Sequence, residues 1–215
     1  MLFAFCGRLR FSAQLNFPIE EETAEAVREL APTLENISAE RIQAELVKLL
    51  VSAHPERIQD AYELGITRII LPEWDAMAGV EQNTPHHKYD VAQHTLHALK
   101  YVKRDKILRL TMLFHDMGKP EYKTMDPDGT AHFKKHAIGS ERITKEILRR
   151  LKFDNETIRS VTRLVYYLRL PDAAGQKIGT AGSKPDRKGA LSILPGNPDG
   201  GYFGSERLSQ GRKDS

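Results

Sequence analysis

Residues 105–120 read "DKILRLTMLFHDMGKP". Asp105 stands where a helix-capping carboxylate belongs, and the residues from Ile107 to Phe114 are mostly apolar. His115 and Asp116 close the run, and Gly118, Lys119 and Pro120 follow as a stop signal. A helix that ends on an imidazole beside a carboxylate is either a structural terminus or half of a metal site. The rest of the chain decides between the two.

The segments on either side carry the same helical period. "EEETAEAVREL" (20–30) spaces Ala24, Val27 and Leu30 along one face. "SAERIQAELVKLLVSA" (38–53) places Ile42, Leu46, Leu49 and Leu50 on a stripe, with Ser38 as the expected N-cap and Glu40 in the first turn. "YDVAQHTLHALKYV" (89–102), "HAIGSERITKEILRRL" (136–151) and "DNETIRSVTRLVYYLRL" (154–170) continue it, Asp154 sitting at a cap position. No strand alternation persists, and "MDPDGT" (125–130) reads as a turn. Residues 9–170 therefore predict an all-α helical array with short connections.

Beyond Leu170 the composition shifts. Nine of the 15 glycines lie at or after Gly175, interspersed with Pro185, Pro195 and Pro198, and no apolar period remains. Such a segment buries too little surface to offset its ordering entropy, so a disordered tail is expected. The net charge of +3 also originates there: residues 1–176 carry 25 basic and 25 acidic side chains. Any nucleic-acid role for the body must then rest on local basic clusters rather than a global field. The single Cys6 excludes an internal disulfide framework and a cysteine-based zinc site. No apolar run is long enough for a membrane span, and "MLFAFCGRLR" (1–10) is not a signal peptide; a cytoplasmic protein with no membrane partner is expected.

Five of the eight histidines fall between His94 and His136. His94 lies inside a helix, His115 and Asp116 end another about twenty residues later, and His136 opens a third after a similar interval. Imidazole and carboxylate together suit a divalent cation that polarises phosphate and activates water. The metal-site candidates are His94, His115, Asp116 and His136, with Mg²⁺ or Mn²⁺ as the expected ion. Lys100, Lys103, Arg104, Lys134 and Lys135 are the candidate phosphate contacts, against the simpler account that they are solvated helix faces. Tyr166 and Tyr167 either stack on bases or end an amphipathic helix with one ring in the core. Trp74 reads as a packing anchor, and His86 and His87 as loop residues.

Five stretches in collinear order carry a family resemblance: "RLRFSAQLNFPIEEETAEAVRELAP" (8–32), "ISAERIQAELVKLL" (37–50), "GVEQNTPHHKYDVAQHTLHAL" (79–99), "LFHDMGKP" (113–120) and "HFKKHAIGSERITKEILRRLKF" (132–153). Together they resemble the bacterial CCA-adding tRNA nucleotidyltransferase and poly(A) polymerase family. The resemblance implies a neck and RNA-binding helical region over residues 1–80, an HD domain over 81–172 and a separate tail over 173–215. It implies tRNA or another RNA as partner. His94, His115 and Asp116 match the first part of the HD phosphohydrolase pattern, and His136 an additional histidine of many HD proteins. Where such proteins often carry a late His pair this chain has Tyr166 and Tyr167, and the final Asp of the pattern would fall after residue 170.

The family's head domain, with its Gly-rich segment and Mg²⁺-holding Asp-x-Asp pair, and the Glu-Asp-x-x-Arg stretch upstream of "RFSAQL" are not matched. The resemblance then implies a truncated relative in which nucleotide-site Mg²⁺ is not expected, RNA contact is retained, and a separate head polypeptide is a possible partner. Read one nucleotide out of frame, "ALSILPGNPDGGYFGSERLSQGRK" (190–213) can encode an amphipathic helical continuation that includes an Asp, which places an expected frameshift near Gln176 to Gly179. Two other readings stand beside this one: a metal-dependent HD phosphohydrolase acting on a nucleotide or phosphate ester, and a non-functional gene fragment. Whether the chain is an enzyme is left open.

Overall fold

A computed structural model describes residues 11–82 and 89–168, and it is all-α apart from one small hairpin. After a helical stretch at 11–15 come α1 (Glu21–Leu30), α2 (Ala39–Leu50) and the short α3 (Ile58–Glu63), α4 (Thr67–Ile70) and α5 (Pro72–Met77). Then follow α6 (Val91–Tyr101), α7 (Lys106–Phe114), the strands β1 (Thr124–Met125) and β2 (Ala131–His132), α8 (His136–Arg150) and α9 (Asn155–Leu168). Cys6, His86, His87, the start of the chain and the expected disordered, frameshifted tail lie outside the described residues.

The opening stretch forms the centre of this array. Every residue of α7 from Leu108 to Phe114 is buried, so the helix has no solvated side. A helix apolar nearly all round must be covered on all sides, and α7 packs on α2, α6 and α9. Asp105 caps it by accepting from the amides of Ile107 (2.9 Å) and Leu108 (3.0 Å), as its position predicts. Leu110, Met112, Leu113 and Phe114 are fully buried and belong to one apolar cluster that runs from Ala13 to Val165. Trp74 is an anchor of that cluster at 0 % exposure.

Two of the polar links between the first five helices and the rest involve arginines. The buried Arg109 donates from Nη1 to the carbonyl of Leu50 (3.1 Å) and from Nε to that of Lys103 (3.2 Å). Burial lowers its pKa, with the Arg104 charge adding and Glu56 opposing. Arg150 on α8 forms a two-pronged pair with Glu73 on α5, at 2.6 and 2.8 Å.

Several details depart from the sequence reading. Ser38 has the extended backbone of an N-cap, but its side chain makes no capping hydrogen bond. Leu30 and Ile42 are only half-buried, as is each ring of the Tyr166–Tyr167 pair, so neither tyrosine is a core residue. "MDPDGT" does turn the chain, but it closes a two-residue ladder, Thr124 opposite His132 and Met125 opposite Ala131. Asp128 accepts from the amide of Thr130 (2.9 Å) and Gly129 takes φ +85°, a conformation that only glycine adopts without strain. Among the described residues, no helix is long and apolar enough to cross a membrane.

Asp154 caps α9, accepting from the hydroxyl of Thr157 (2.7 Å) and from its amide (2.8 Å). The Thr157 hydroxyl, then its amide, hold the Asp154 carboxyl down from 3.8 to about 2. A lowered folded-state pKa contributes stability that is complete above the unfolded value and is lost as pH falls through the folded one. Asp154→Asn should therefore reduce the fall in Tm between pH 4 and pH 2, measured by circular dichroism melts at each pH. Arg109→Leu removes the guanidinium donor to the buried carbonyl of Leu50 and should cost about 2 kcal/mol in urea unfolding.

Candidate metal centre

Helix α6 is fixed at its start by a reciprocal cap. The amide of Gln93 donates to Asp90 (2.7 Å), and the Gln93 side chain accepts from the amide of Asp90 (3.4 Å). His94 follows one residue into that first turn. His115 ends α7 at its C-cap, and Asp116 lies in the turn that follows. His136 is the first residue of α8 and is preceded by Lys135 at φ +67°, a left-handed corner that reverses the chain into the helix.

The turn at Gly118 presses these elements together. The Gly118 amide donates to the buried Ser140 hydroxyl of α8 (2.9 Å). A methyl group on Gly118 would collide with the backbones of His136, Gly139 and Ser140, and one on Gly139 would meet the Tyr122 ring. Both residues are glycine because backbone here packs directly on its neighbour.

Four groups converge on the Asp116 carboxylate, which is fully buried. His115 Nε2 lies 3.1 Å and His94 Nε2 4.0 Å from Oδ2, the Lys119 ammonium lies 2.9 Å from Oδ2, and His136 Nε2 lies 3.5 Å from Oδ1. His94, His115 and Asp116 each offer a ligand atom, all within 4.8 Å of one another, a spacing that suits a single metal ion. His136 is brought to the same carboxylate from its other oxygen but stands outside that three-ligand group. Of the four metal candidates read from the sequence, three are thus assembled and the fourth is adjacent.

The tautomers follow from backbone contacts. His115 Nδ1 lies 2.6 Å from the carbonyl of Met112, and His136 Nδ1 lies 2.6 Å from that of Phe133. A carbonyl only accepts, so both Nδ1 atoms carry a proton. In the neutral imidazole the Nε2 lone pair then faces a carboxylate oxygen, and a cation between them turns that repulsion into binding. A backbone acceptor holding the far nitrogen is the usual support of a metal-binding histidine. The residues present fit a divalent ion on these grounds.

Lys119 and Gln82 were not singled out in the sequence. Lys119 is 4 % exposed and donates to Gln82 Oε1 (2.6 Å) as well as meeting Asp116, and its ammonium sits 5.3 Å from the Phe133 ring centre. Gln82 in turn donates to the carbonyl of Tyr89 (3.2 Å). The one available signal was the three-residue spacing of Asp116 and Lys119, which the Gly118-Lys119-Pro120 stop signal hid. The phosphate candidates Lys100, Lys103, Arg104, Lys134 and Lys135 are all exposed.

Residues 16–77 match the family model described as "Probable RNA and SrmB- binding site of polymerase A". The chain is 34 % identical over 168 residues to the A-adding tRNA nucleotidyltransferase of Deinococcus radiodurans, covering 73 % of this chain and 38 % of that one. It is 32 % identical over 178 residues to the CC-adding tRNA nucleotidyltransferase of Thermus thermophilus, covering 76 % and 41 % respectively. It is also 32 % identical over 150 residues to the multifunctional CCA protein of Neisseria gonorrhoeae, covering 66 % and 36 %. The aligned region thus spans well under half the length of each of these relatives.

The charge arrangement makes a thermodynamic prediction. Asp116→Asn leaves the buried Lys119 ammonium without its counter-charge and should destabilise the fold by about 3–5 kcal/mol. Asp116→Asn combined with Lys119→Met removes both charges and should recover a large part of that loss. Urea unfolding of the two single variants and the double variant measures the coupling. An additive double variant would mean that Lys119 and Asp116 are not energetically linked.

Proposed function

We propose that this chain, which belongs to the bacterial CCA-adding tRNA nucleotidyltransferase and poly(A) polymerase family, serves as the RNA-holding helical part of such an enzyme and carries a divalent cation at an HD-type site. The match of residues 16–77 to a polymerase RNA-binding region supports this reading most directly. The domain assignment follows it: residues 1–80 as neck and RNA-binding region, 81–172 as HD domain. The substrate class is tRNA, taken from the activities for which the relatives are named.

Nucleotidyl transfer needs a carboxylate pair that clamps the metal ions on the nucleotide phosphates. Asp116 is the one fully buried aspartate among the described residues, and its neighbours are histidines and a lysine. This part of the protein therefore holds RNA while a nucleotide-binding part, on the same or a separate polypeptide, carries out the transfer. The exposed pair Lys134 and Lys135, at the left-handed corner before α8, offers two ammonium groups to phosphate within two residues of His136.

The metal centre supports a second reading, phosphate-ester hydrolysis. A divalent ion bound there would polarise a phosphoryl oxygen and lower the pKa of a bound water. His94, His115 and Asp116 would hold it, His136 would stand beside it ready to bind or pass a proton, and Lys119, 2.9 Å from Oδ2, would hold the Asp116 carboxylate in place.

Two measurements test these readings. Purified protein should retain tRNA at low salt, and Lys134→Ala with Lys135→Ala should reduce the dependence of log K on log salt by about two. No retention at low salt would overturn the RNA-holding reading. Mn²⁺ titration should show about one equivalent bound, and His115→Ala should weaken it by ten-fold or more. A wild-type protein that binds no divalent ion and hydrolyses no phosphate ester would remove the second reading.

A further inference from the structure

An open cleft of about 690 Å³ lies between the start of α8 and the end of α9, with Ile138 and Glu141 on one wall and Arg159, Thr162, Arg163 and the tyrosine pair on the other. Its size falls in the range of small-ligand sites. Arg159 and Arg163 are one turn apart on α9, both exposed, and neither has an ion pair among the described residues. Four other arginines differ. Arg28, Arg57, Arg142 and Arg150 are each committed to a carboxylate within 3.3 Å.

The aromatic wall is already arranged. The Tyr166 and Tyr167 rings meet edge to face with centres 5.6 Å apart, and the Arg163 guanidinium lies 6.0 Å from the Tyr167 ring centre. Both rings are half-buried, so each is held by packing while keeping exposed surface. Ile138 is 52 % exposed and supplies an apolar floor. Thr162 has its hydroxyl committed to the carbonyl of Ile158 (2.7 Å) and contributes its methyl group. Glu141 makes the cleft polar in one sense: it repels phosphate from the α8 wall and leaves the α9 wall, with its two guanidinium groups, as the place for negative charge.

We propose that the α8–α9 cleft binds a single-stranded nucleotide of an RNA, the base stacking on the face of Tyr166 with Tyr167 bracing that ring edge to face, and the flanking phosphates pairing with Arg159 and Arg163. Stacked aromatics beside a basic edge are the recurring chemistry of single-strand recognition, and a guanidinium pairs with phosphate through two hydrogen bonds. This inference deepens the RNA-holding reading and rests on it for the class of ligand. It adds a contact remote in sequence from residues 16–77, reached by an unpaired strand rather than a duplex.

The test uses the full chain with two probes, tRNA and a hexa-adenylate, at low salt. Ultraviolet cross-linking of hexa-adenylate followed by peptide mapping should place the adduct on the peptide containing Tyr166 and Tyr167. Arg159→Ala with Arg163→Ala should weaken hexa-adenylate binding about ten-fold, a change that exposed side chains allow without loss of Tm. Tyr166→Phe should retain affinity, since the stacking face remains, and Tyr166→Ala should lose it. Cross-links that map elsewhere, or an affinity unchanged in both the arginine variant and Tyr166→Ala, would overturn the cleft assignment. If the wild type retains tRNA in that case, the RNA-holding reading stands alone. A wild type that retains no tRNA but cross-links hexa-adenylate at the tyrosine pair would keep the cleft and remove the wider reading.

Discussion

Backbone meets backbone at Gly118 and Gly139, and the metal centre depends on that contact. The turn after α7 must come close enough to α8 for the Gly118 amide to reach Ser140, and a Cβ on Gly118 would block it. The same approach carries Asp116 into the first turn of α8 and brings His136 Nε2 within 3.5 Å of its carboxylate. Ser140 fits because its side chain is short and polar: it accepts the amide, and its own carbonyl accepts from Thr144 (2.6 Å). Packing and site geometry are therefore one constraint here. A change that loosens the helix contact also moves the ligands.

Charge balance is the second element of the site. A carboxylate at full burial is tolerated only with compensating positive charge and donors close by. Lys119 supplies one unit at 2.9 Å, and its ammonium is itself satisfied by Gln82 and faces the Phe133 ring. A divalent ion among His94, His115 and Asp116 would add two more units next to that ammonium, and like charges at such range repel. Affinity for the ion is then lower than the ligand set alone would give.

Much of this was legible from local pattern. The burial of α7, the caps at Asp105 and Asp154 and the anchoring role of Trp74 follow from residue type and spacing, because each depends on atoms within a few residues or on simple apolar demand. His94, His115 and Asp116 were legible as a set through their spacing, one histidine inside a helix and the His-Asp pair ending another about twenty residues later. Lys119 was not, because a lysine between Gly118 and Pro120 looks like a solvated stop signal until the fold buries it. Ser38 shows the opposite failure: its position is right, but its hydroxyl does not turn inward to the free amides. The tyrosine pair was read either as stacking on bases or as a helix end with one ring in the core; both rings are half-buried, meet edge to face and line the cleft opposite Ile138 and Glu141.

The neutrality of residues 1–176 gives the pairing of individual side chains its meaning. With equal numbers of acids and bases, the mean field steers nothing, and RNA affinity depends on which basic groups remain uncommitted. Arg142 and Arg150 are neutralised by Glu121 and Glu73, where they join elements of the fold. Lys100, Lys103, Arg104, Lys134, Lys135, Arg159 and Arg163 are exposed and make no ion pair among the described residues. Four of the uncommitted cations lie near the α8 start, Lys134 and Lys135 just before His136 and Arg159 and Arg163 across the cleft from Ile138. A strand held by both groups would pass the first turn of α8, beside the carboxylate that the metal ligands share.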